Sequence, residues 1–341
     1  MTPIPVRRLT SSMFRQRGLT MIELLVALTI SILIALAAVA ALIVTRQGFN
    51  TVDAASQLRD NGRFAADLIQ RVAVQTGYLD LPYLPYTATP APATAGMPTN
   101  PDPNINGFNN ALLATGTDPL NSPPTSRVAG ADGYGSDILI LRYRTGETFP
   151  GSGKSDKSMI DCSGYSRDPV TYGKYDRMVS IIHVALSQGE PSLMCSSLNP
   201  AKGEFSTQPI VQGVENFQVL YGVDGVTAGV PPAAAADGVP DRYLRADQLT
   251  VAGDPVGTNA NWRRVRSLRI GMVLRGPPNS AQEKTAQTFY PFGAAKSSTT
   301  GLAGSAMSSA SDPGTVFTPA VDGRLRQVIT FTVHLRNDQG L

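Results

Sequence analysis

The sequence predicts an α+β fold, in which one long amino-terminal helix packs on an antiparallel β-sheet domain. Two observations lead to this prediction: an apolar run from Leu19 to Val44 that continues into an amphipathic segment, and later segments in which apolar and polar residues alternate. Helical periodicity that precedes the strands, instead of alternating with them, indicates separate α and β regions. The chain has 341 residues, of which 42% are hydrophobic, so it can form one sizeable core in addition to a membrane segment.

The first 18 residues form a basic leader. They contain four arginines and no acidic residue, and without these arginines the formal net charge changes from +3 to −1. The basic balance of the chain therefore belongs to a targeting segment, and we expect no nucleic-acid surface. The four residues are Arg7, Arg8, Arg15 and Arg17.

Residues 19–44 predict a membrane-spanning helix. About 26 helical residues cover roughly 39 Å, which exceeds the ~30 Å hydrocarbon core of a bilayer. Because the basic residues precede this run, the amino terminus should stay in the cytoplasm and the body should cross the membrane. A secretory signal peptide is one alternative, but the run is long and lacks a small-x-small cleavage site. A simple signal anchor is another, and it leaves the costly carboxylate of Glu23 inside the apolar run unexplained.

An amphipathic segment continues the helix beyond the apolar run. Its apolar residues recur at helical spacing, and charged residues take the positions between them. The two halves together predict one helix over residues 19–76, which Gly77 and Pro82 end, and a globular body over residues 77–341. The apolar positions of the second half are Leu58, Ala65, Leu68, Ile69 and Val72.

Five segments of the body alternate with a period of two and predict antiparallel strands. Such alternation is typical of strands with one buried face and one solvated face, and the helix is the natural cover for the buried face. The strands are predicted at residues 137–144, 178–187, 217–223, 268–274 and 329–335. We expect long variable loops at residues 82–133, 224–260 and 276–320. The first of these is predicted to be an irregular surface region with partial packing, and a disordered linker is its alternative.

Two cysteines, Cys162 and Cys195, are too few for a disulfide scaffold but sufficient for one bridge. Export of the body places them in an oxidising compartment, so a disulfide is predicted. Closing a loop of about 33 residues would contribute roughly 3–4 kcal/mol in the chain-entropy model. Two free buried thiols, or a metal or catalytic role, are the alternatives.

Other candidate residues favour structural roles. Asp224, Asp237 and Asp241 are weak calcium candidates, but their spacing does not fit a calcium loop and Asp-Gly is a common turn dipeptide. His183 and His334 have no Ser, Cys or carboxylate at a telling spacing, so no catalytic residue is assigned and no cofactor or metal is expected. A basic cluster around Trp262 could contact nucleic acid, but a solvated strand face or a subunit contact is favoured. It consists of Arg263, Arg264, Arg266 and Arg269.

The segment Gly18-Leu-Thr-Met-Ile-Glu23, with the leader before it and the apolar run after it, resembles the class III signal of type IV pilins and pseudopilins. This resemblance implies cleavage by a prepilin peptidase between Gly18 and Leu19, and N-methylation of Leu19. It also implies that Glu23, the fifth mature residue, pairs with the terminal amine of a neighbouring subunit during assembly, so that a buried charge finds a compensating charge. The first mature residue is Leu rather than the more frequent Phe, and the apolar run lacks the mid-helix proline that is frequent in major pilins.

Three further segments lie at residues 213–222, 262–270 and 324–337, and the last of them ends in Leu-Arg-Asn337. They resemble the PilW family of minor pilins. The similarity implies a structural protein, not an enzyme, that helps to prime type IV pilus assembly at the filament tip and supports twitching motility and adhesion. The implied partners are other minor and major pilins, the prepilin peptidase and a large tip adhesin. The implied location is the inner membrane, with a periplasmic body, and then the cell-surface pilus. A minor pseudopilin of a type II secretion system is the alternative, and a membrane-anchored periplasmic enzyme is a more remote one.

Overall fold

The computed structural model describes residues 18–79, 100–114, 118–169, 177–199, 203–233, 235–293, 312–337 and 339. The leader up to residue 17, and parts of the predicted loops 82–133 and 276–320, lie outside these residues. Within them, the chain forms three helices and eleven strands. The helices are α1 (Met21–Gln75), α2 (Ala246–Leu249) and α3 (Pro255–Trp262). The strands are β1 (Ile105–Phe108), β2 (Ala111–Leu112), β3 (Thr125–Ser126), β4 (Ile138–Tyr143), β5 (Met178–Ser187), β6 (Glu190–Asn199), β7 (Glu204–Gln212), β8 (Val214–Val223), β9 (Arg242–Leu244), β10 (Val265–Arg275) and β11 (Arg326–His334).

The strands build two main antiparallel sheets, which confirms the predicted α+β class. The first sheet has five strands in the order β1-β4-β5-β6-β7, and the second has four in the order β11-β10-β8-β9. A two-residue turn joins β5 to β6, and both of its residues, Gln188 and Gly189, have positive φ. Positive φ at both positions matches the strand twist in a tight hairpin, so this turn sets the register of the first sheet.

The chain divides into two compact units, and the boundary between them falls in α1 between Asn50 and Thr51. In the first unit, the residues of α1 from Met21 to Val44 are all exposed. In the second unit, α1 buries one stripe of residues at spacings of three and four, as expected for a helix that covers a sheet. The stripe consists of Ala54, Leu58, Gly62, Ala65, Ile69, Val72 and Ala73.

The second half of α1 lies directly on β11. A Cβ atom at Gly62 would overlap Cδ1 of Ile329, so the absence of a side chain at residue 62 sets how closely the helix approaches the strand. The stripe of α1 and the inner faces of both sheets form one hydrophobic cluster, to which Ile69, Leu141 and Phe217 contribute fully buried side chains. This cluster is the core of the second unit.

The strands of the body are more deeply buried than the alternation predicts. Every residue of β4 and β8 is buried, and so are the first seven residues of β5. The outer faces of β4 and β5 are covered because Ala111, Leu113 and Leu120 pack over them and form a second apolar cluster. Its buried members are Ala111, Leu113, Ile138, Ile140, Val179 and Ile181. The expectation of one solvated face is therefore wrong for these strands.

Sequence periodicity also left some elements unrecognised. Strands β6 and β7 complete the first sheet, and the stretch 224–260, treated above as one loop, contains β9, α2 and most of α3. The stretch 82–133 contributes β1 to the edge of the first sheet. These elements are short, or rich in Ser, Thr, Gln and Pro, so their apolar periodicity is weak.

Candidate functional site

The exposed half of α1 begins with a reciprocal cap between Thr20 and Glu23. The backbone N–H and the hydroxyl of Thr20 donate to Oε2 of Glu23 at 2.9 and 3.0 Å, and the backbone N–H of Glu23 donates to Oγ1 of Thr20 at 3.3 Å. This is the arrangement of a capping box, which satisfies amide groups that the first turn of a helix leaves without partners. The Thr-x-x-Glu spacing is the local sequence signal of this cap, and it went unrecognised in the sequence beside the apolar run.

The hydroxyl groups within the apolar half are satisfied by the helix itself. Thr29 Oγ1 donates to the carbonyl of Val26 at 2.9 Å, and Ser31 Oγ donates to the carbonyl of Ala27 at 2.7 Å. Such bonds remove the need for water, which makes these side chains compatible with lipid or with packed helices. The carboxylate of Glu23 is the acidic group of this half, and it lies in the first helical turn.

The helix α1 is long and apolar enough to cross a membrane, and its most apolar window is not buried against the rest of the chain. The exposed side chains include Met21 at 87% and Val44 at 70% of their full accessible area. A contiguous apolar surface of this size in water would be unfavourable, so a membrane or other apolar chains must cover it.

The far end of α1 is held by the carboxyl-terminal residues. The side-chain amide of Asn337 donates to the carbonyls of Val74 and Thr76 at 3.3 and 3.0 Å, and the amide of Gln339 donates to Thr76 at 3.3 Å. The last carbonyls of a helix have no intrahelical donors, so these amides act as a carboxyl-terminal cap. The terminal Leu-Arg-Asn segment noted in the sequence therefore has a structural role that its local pattern does not reveal.

The loop before β5 also holds the end of α1. The side chain of Gln75 donates to the carbonyl of Ile160 at 3.3 Å and accepts from the N–H of Ile160 at 3.0 Å. Two residues further on, Cys162 forms a disulfide with Cys195 of β6, which confirms the predicted bridge. The disulfide thus attaches the loop before β5, which contacts the end of α1, to the first sheet.

An ion-pair network joins the two sheets at the opposite end of the helix-covered core. Arg275 of β10 contacts Glu190 at 2.7 Å and Glu215 at 3.0 Å, and Arg326 of β11 contacts Glu215 at 2.6 Å. Burial raises the pKa of Glu190, but hydrogen bonds from Arg275 and Arg324 more than offset it, so this pKa lies below its usual value. The network stabilises the junction of β6, β8, β10 and β11 in its charged form.

The three acidic residues considered for calcium are turn residues. Asp224 accepts the N–H of Gly238 at 2.8 Å and lies 3.6 Å from Nε of Arg266, while Asp241 accepts the N–H of Gly225 at 2.6 Å. Asp237 accepts the N–H of Val239 at 2.8 Å. These bonds use the carboxylates within the loop, and the described part of the chain holds no group of three or more His, Cys, Asp or Glu that could bind a metal ion.

The basic cluster also makes internal contacts. Arg263 donates to the carbonyl of Pro101 at 2.9 Å, Arg266 donates to the carbonyl of Arg263 at 3.1 Å, and the guanidinium of Arg269 lies 5.9 Å from the ring centre of Tyr243. These contacts favour the structural interpretation of the cluster over contact with nucleic acid.

Histidine 183 belongs to a chain of hydrogen-bonded polar side chains that crosses three strands. Nε2 of His183 lies 2.9 Å from Oγ of Ser196, which in turn lies 2.6 Å from Oγ1 of Thr207. Burial lowers the pKa of His183 to about 4, with a further contribution from the charge of Arg127, so the imidazole is neutral at physiological pH. His183 and Ser196 are both buried, and Thr207 at the end of this chain of bonds is exposed.

Comparison with known proteins gives two family matches. Residues 183–337, somewhat less than half of the chain, match the family described as type IV pilus-assembly protein W, and residues 13–39 match the prokaryotic N-terminal methylation motif. A search of curated proteins finds no significant match. A type IV-like pilin from Thermus thermophilus is 14% identical, over 83% of this chain and 98% of that one, with a TM-score of 0.35. The prepilin-type signal and the apolar helix fit anchoring in the inner membrane.

Proposed function

We propose that this type IV pilin-like protein of pilus assembly is a minor pilin of the complex that primes the pilus and occupies its tip. In this role it would support twitching motility and adhesion. The PilW match and the prepilin-type methylation motif support this proposal. The observation that carries the proposal is the division of α1: one half is exposed and apolar, and the other half belongs to the core of the body. The exposed half is the surface that a bundle of neighbouring pilin helices would cover.

The proposed maturation starts in the inner membrane. A prepilin peptidase cleaves between Gly18 and Leu19 and methylates Leu19, and α1 stays in the membrane with the body in the periplasm. The subunit then enters the filament with other minor and major pilins, and a large tip adhesin is a further partner. A minor pseudopilin of a type II secretion system would share the cleavage but would be absent from surface pili.

Glu23 is the proposed assembly contact. In the isolated chain its Oε2 caps the helix through Thr20. After cleavage, the new amino terminus is one residue before Thr20, so the same end of the helix carries both a cation and a carboxylate. We propose that pairing of Glu23 with the terminal amine of a neighbouring subunit sets the axial register of the filament, because neither charge is then left alone in an apolar environment.

Two matched variants separate the charge of Glu23 from its capping role. Glu23→Gln keeps an oxygen that can accept the Thr20 bonds but removes the charge, whereas Thr20→Ala weakens the cap and keeps the carboxylate. Mass spectrometry of the membrane fraction should show loss of residues 1–18 and an added methyl group on Leu19 in both variants. In sheared surface pili, we expect wild-type protein and Thr20→Ala, and at least a tenfold loss of Glu23→Gln.

Each result has a clear consequence. An uncleaved wild-type chain would contradict the pilin assignment, and a cleaved chain that is absent from pili would favour a secretion pseudopilin. Normal incorporation of Glu23→Gln would remove the charge-pairing role of Glu23 and leave the cap as its function.

A further inference from the structure

A cavity of about 440 Å³, lined by both polar and apolar groups, lies beside the first sheet, on the side of α2 and α3. One wall is β1 with the residues that flank it, a second wall is β3, and the third is formed by α2 and α3. The volume is within the range of about 300–1,000 Å³ that is typical of small-molecule sites. None of the residues discussed above as assembly contacts lines this cavity.

The cavity combines an aromatic surface with many polar side chains. Phe108 of β1 is 37% exposed and Trp262 of α3 is 4% exposed, and both line the cavity. Trp262 is held in place by an edge-to-face contact with Tyr221, with ring centres 4.7 Å apart. The polar lining residues include Asp102, Asn106, Asn109, Thr125, Asp247 and Asn259.

Neighbouring groups fix several of these side chains before any ligand binds. Arg142, which is buried, donates to Oδ1 of Asn106 at 2.6 Å, so the amide N–H₂ group of Asn106 is the part that remains for a ligand. The N–H of Asp247 donates to Oδ1 of Asn109 at 3.1 Å and joins α2 to the end of β1. Preorganised polar groups of this kind lose little entropy when they bind a ligand.

The chemistry of the lining selects among ligand classes. An anionic ligand is disfavoured because the carboxylate of Asp102 lines the cavity, and the guanidinium among the lining residues, that of Arg142, already donates to Asn106. The carboxylate of Asp247 also lines the cavity, but it is paired with Arg245 at 2.9 Å. A wholly apolar ligand such as a lipid is disfavoured because it would leave the amides and hydroxyls of the lining buried without partners, which is costly.

We propose that this cavity binds a neutral saccharide of about one or two sugar rings. Each sugar hydroxyl is both donor and acceptor, which suits a wall of amides, carboxylates and hydroxyls. The C–H face of a pyranose is apolar and packs on an aromatic ring such as that of Phe108. As a ligand for adhesion this inference rests on the proposed pilus function, but binding by the isolated chain does not depend on filament assembly.

The test uses the full chain in lauryldimethylamine oxide micelles, because maltoside and glucoside detergents would carry sugars themselves. The probes are glucose, galactose, N-acetylglucosamine, N-acetylgalactosamine, lactose and chitobiose, each followed by saturation-transfer NMR and by Trp262 fluorescence. Trp262 is the single tryptophan of the chain, so its emission reports on the cavity directly. At least one neutral sugar should give a saturable change in both signals.

Three variants locate the binding. Phe108→Ala and Asp102→Ala should each weaken the affinity for that sugar at least tenfold, because they remove the stacking surface and a hydroxyl acceptor. Phe149→Ala is the matched control: Phe149 is a 66% exposed aromatic residue outside the cavity, and its removal should leave the affinity unchanged. Thermal unfolding of each variant verifies that the body is folded.

Several outcomes would overturn the proposal. The first is that no probe of the panel gives a saturable signal, and the second is that Phe108→Ala and Asp102→Ala bind the sugar as tightly as the wild type does. The third is that the anionic sugars glucuronic acid and sialic acid bind as tightly as the neutral sugars or more tightly. Absence of the wild-type chain from surface pili, or normal incorporation of Glu23→Gln, would contradict the proposed function without changing the sugar-binding result, so the two proposals fail independently.

Discussion

The two halves of α1 have the same backbone geometry and opposite surroundings. From Met21 to Val44 the apolar side chains are exposed, whereas from Thr51 to Gln75 one stripe is buried against the sheets. The second half gains its stability from tertiary packing within the chain, and the first half has to gain it from lipid or from other subunits. Folding and assembly are thus assigned to different halves of one helix, and matched substitutions in the two halves test this separation.

The largest expected contrast is between a buried and an exposed apolar residue. Ile69→Ala removes a fully buried side chain and should lower the free energy of unfolding of the body by about 3 kcal/mol, the usual cost of such a cavity. Leu33→Ala, at a residue that is 65% exposed, should leave it unchanged. Urea denaturation of the full chain in detergent, followed by Trp262 fluorescence, measures both. An equal loss in both variants would contradict the division of α1.

A second contrast lies within the body, between the buried carboxyl group of Asp312 and the exposed one of Asp132. Burial raises the pKa of Asp312 from 3.8 to about 6, and Arg245 offsets this only in part. The folded state therefore binds this proton more tightly than the unfolded state, and the contribution of Asp312 to stability falls as pH rises from about 4 to 6. Asp312→Asn should raise the free energy of unfolding at pH 7.5 by roughly 2 kcal/mol and have little effect near pH 4.

Asp132→Asn is the control for the pH measurement, because Asp132 is exposed. It should change the unfolding free energy by less than about 0.5 kcal/mol at either pH. Denaturation curves at pH 4 and pH 7.5 provide the comparison. If Asp312→Asn had the same effect at both pH values, the carboxylate of Asp312 would not be the titrating group.

Two glycines, one in each half of α1, allow the two halves to be compared by the same glycine-to-valine substitution. Valine at residue 62 would collide with Ile329 and force the helix and β11 apart, so Gly62→Val should destabilise the body by about 2 kcal/mol. A Cβ atom at Gly48 would meet no other atom within 4 Å, and Gly48→Val should be close to neutral. Thermal unfolding in detergent distinguishes them. A tolerated Gly62→Val would show that the close approach of α1 to β11 is not required.

The smallest expected effect concerns the two ends of α1. Asn337→Ala removes the amide that caps Val74 and Thr76 and should lower the stability of the body by about 1 kcal/mol. Thr20→Ala removes the cap at the exposed end and should not change the unfolding of the body. Hydrogen exchange of the last turn of α1 should increase in Asn337→Ala and remain unchanged in Thr20→Ala; the reverse pattern would contradict these assignments.

Strong local patterns made much of this protein predictable. The apolar run, the amphipathic continuation and the strands with regular alternation all produce periodic signals that short-range sequence carries. The disulfide followed from two cysteines and the direction of export. By contrast, β6 buries the serines Ser192, Ser196 and Ser197, and its burial follows only from its place between β5 and β7 in the sheet.

The candidate sites divide in the same way. Gly18, Leu19 and Glu23 are close together in sequence, and their proposed roles come from a local motif with its physical environment. The cap by Asn337 and the ion pairs of Arg275 and Arg326 join residues that are far apart in the chain, and no local pattern reveals such contacts. The cavity beside Trp262 is of the same kind, because its walls come from β1, β3, α2 and α3.

The sequence by itself determined the leader, the apolar helix that is long enough to span a membrane and carries the carboxylate of Glu23, the α+β class and the one possible disulfide. Each of these depends on composition or on periodicity over a few turns of chain. Only the tertiary structure decided that both faces of β4, of β8 and of the first seven residues of β5 are buried. It also decided that Asn337 caps α1 and that a cavity forms beside the first sheet. The physical reason is that burial and hydrogen bonding depend on which distant segments meet, and a residue's own neighbours in sequence do not specify that.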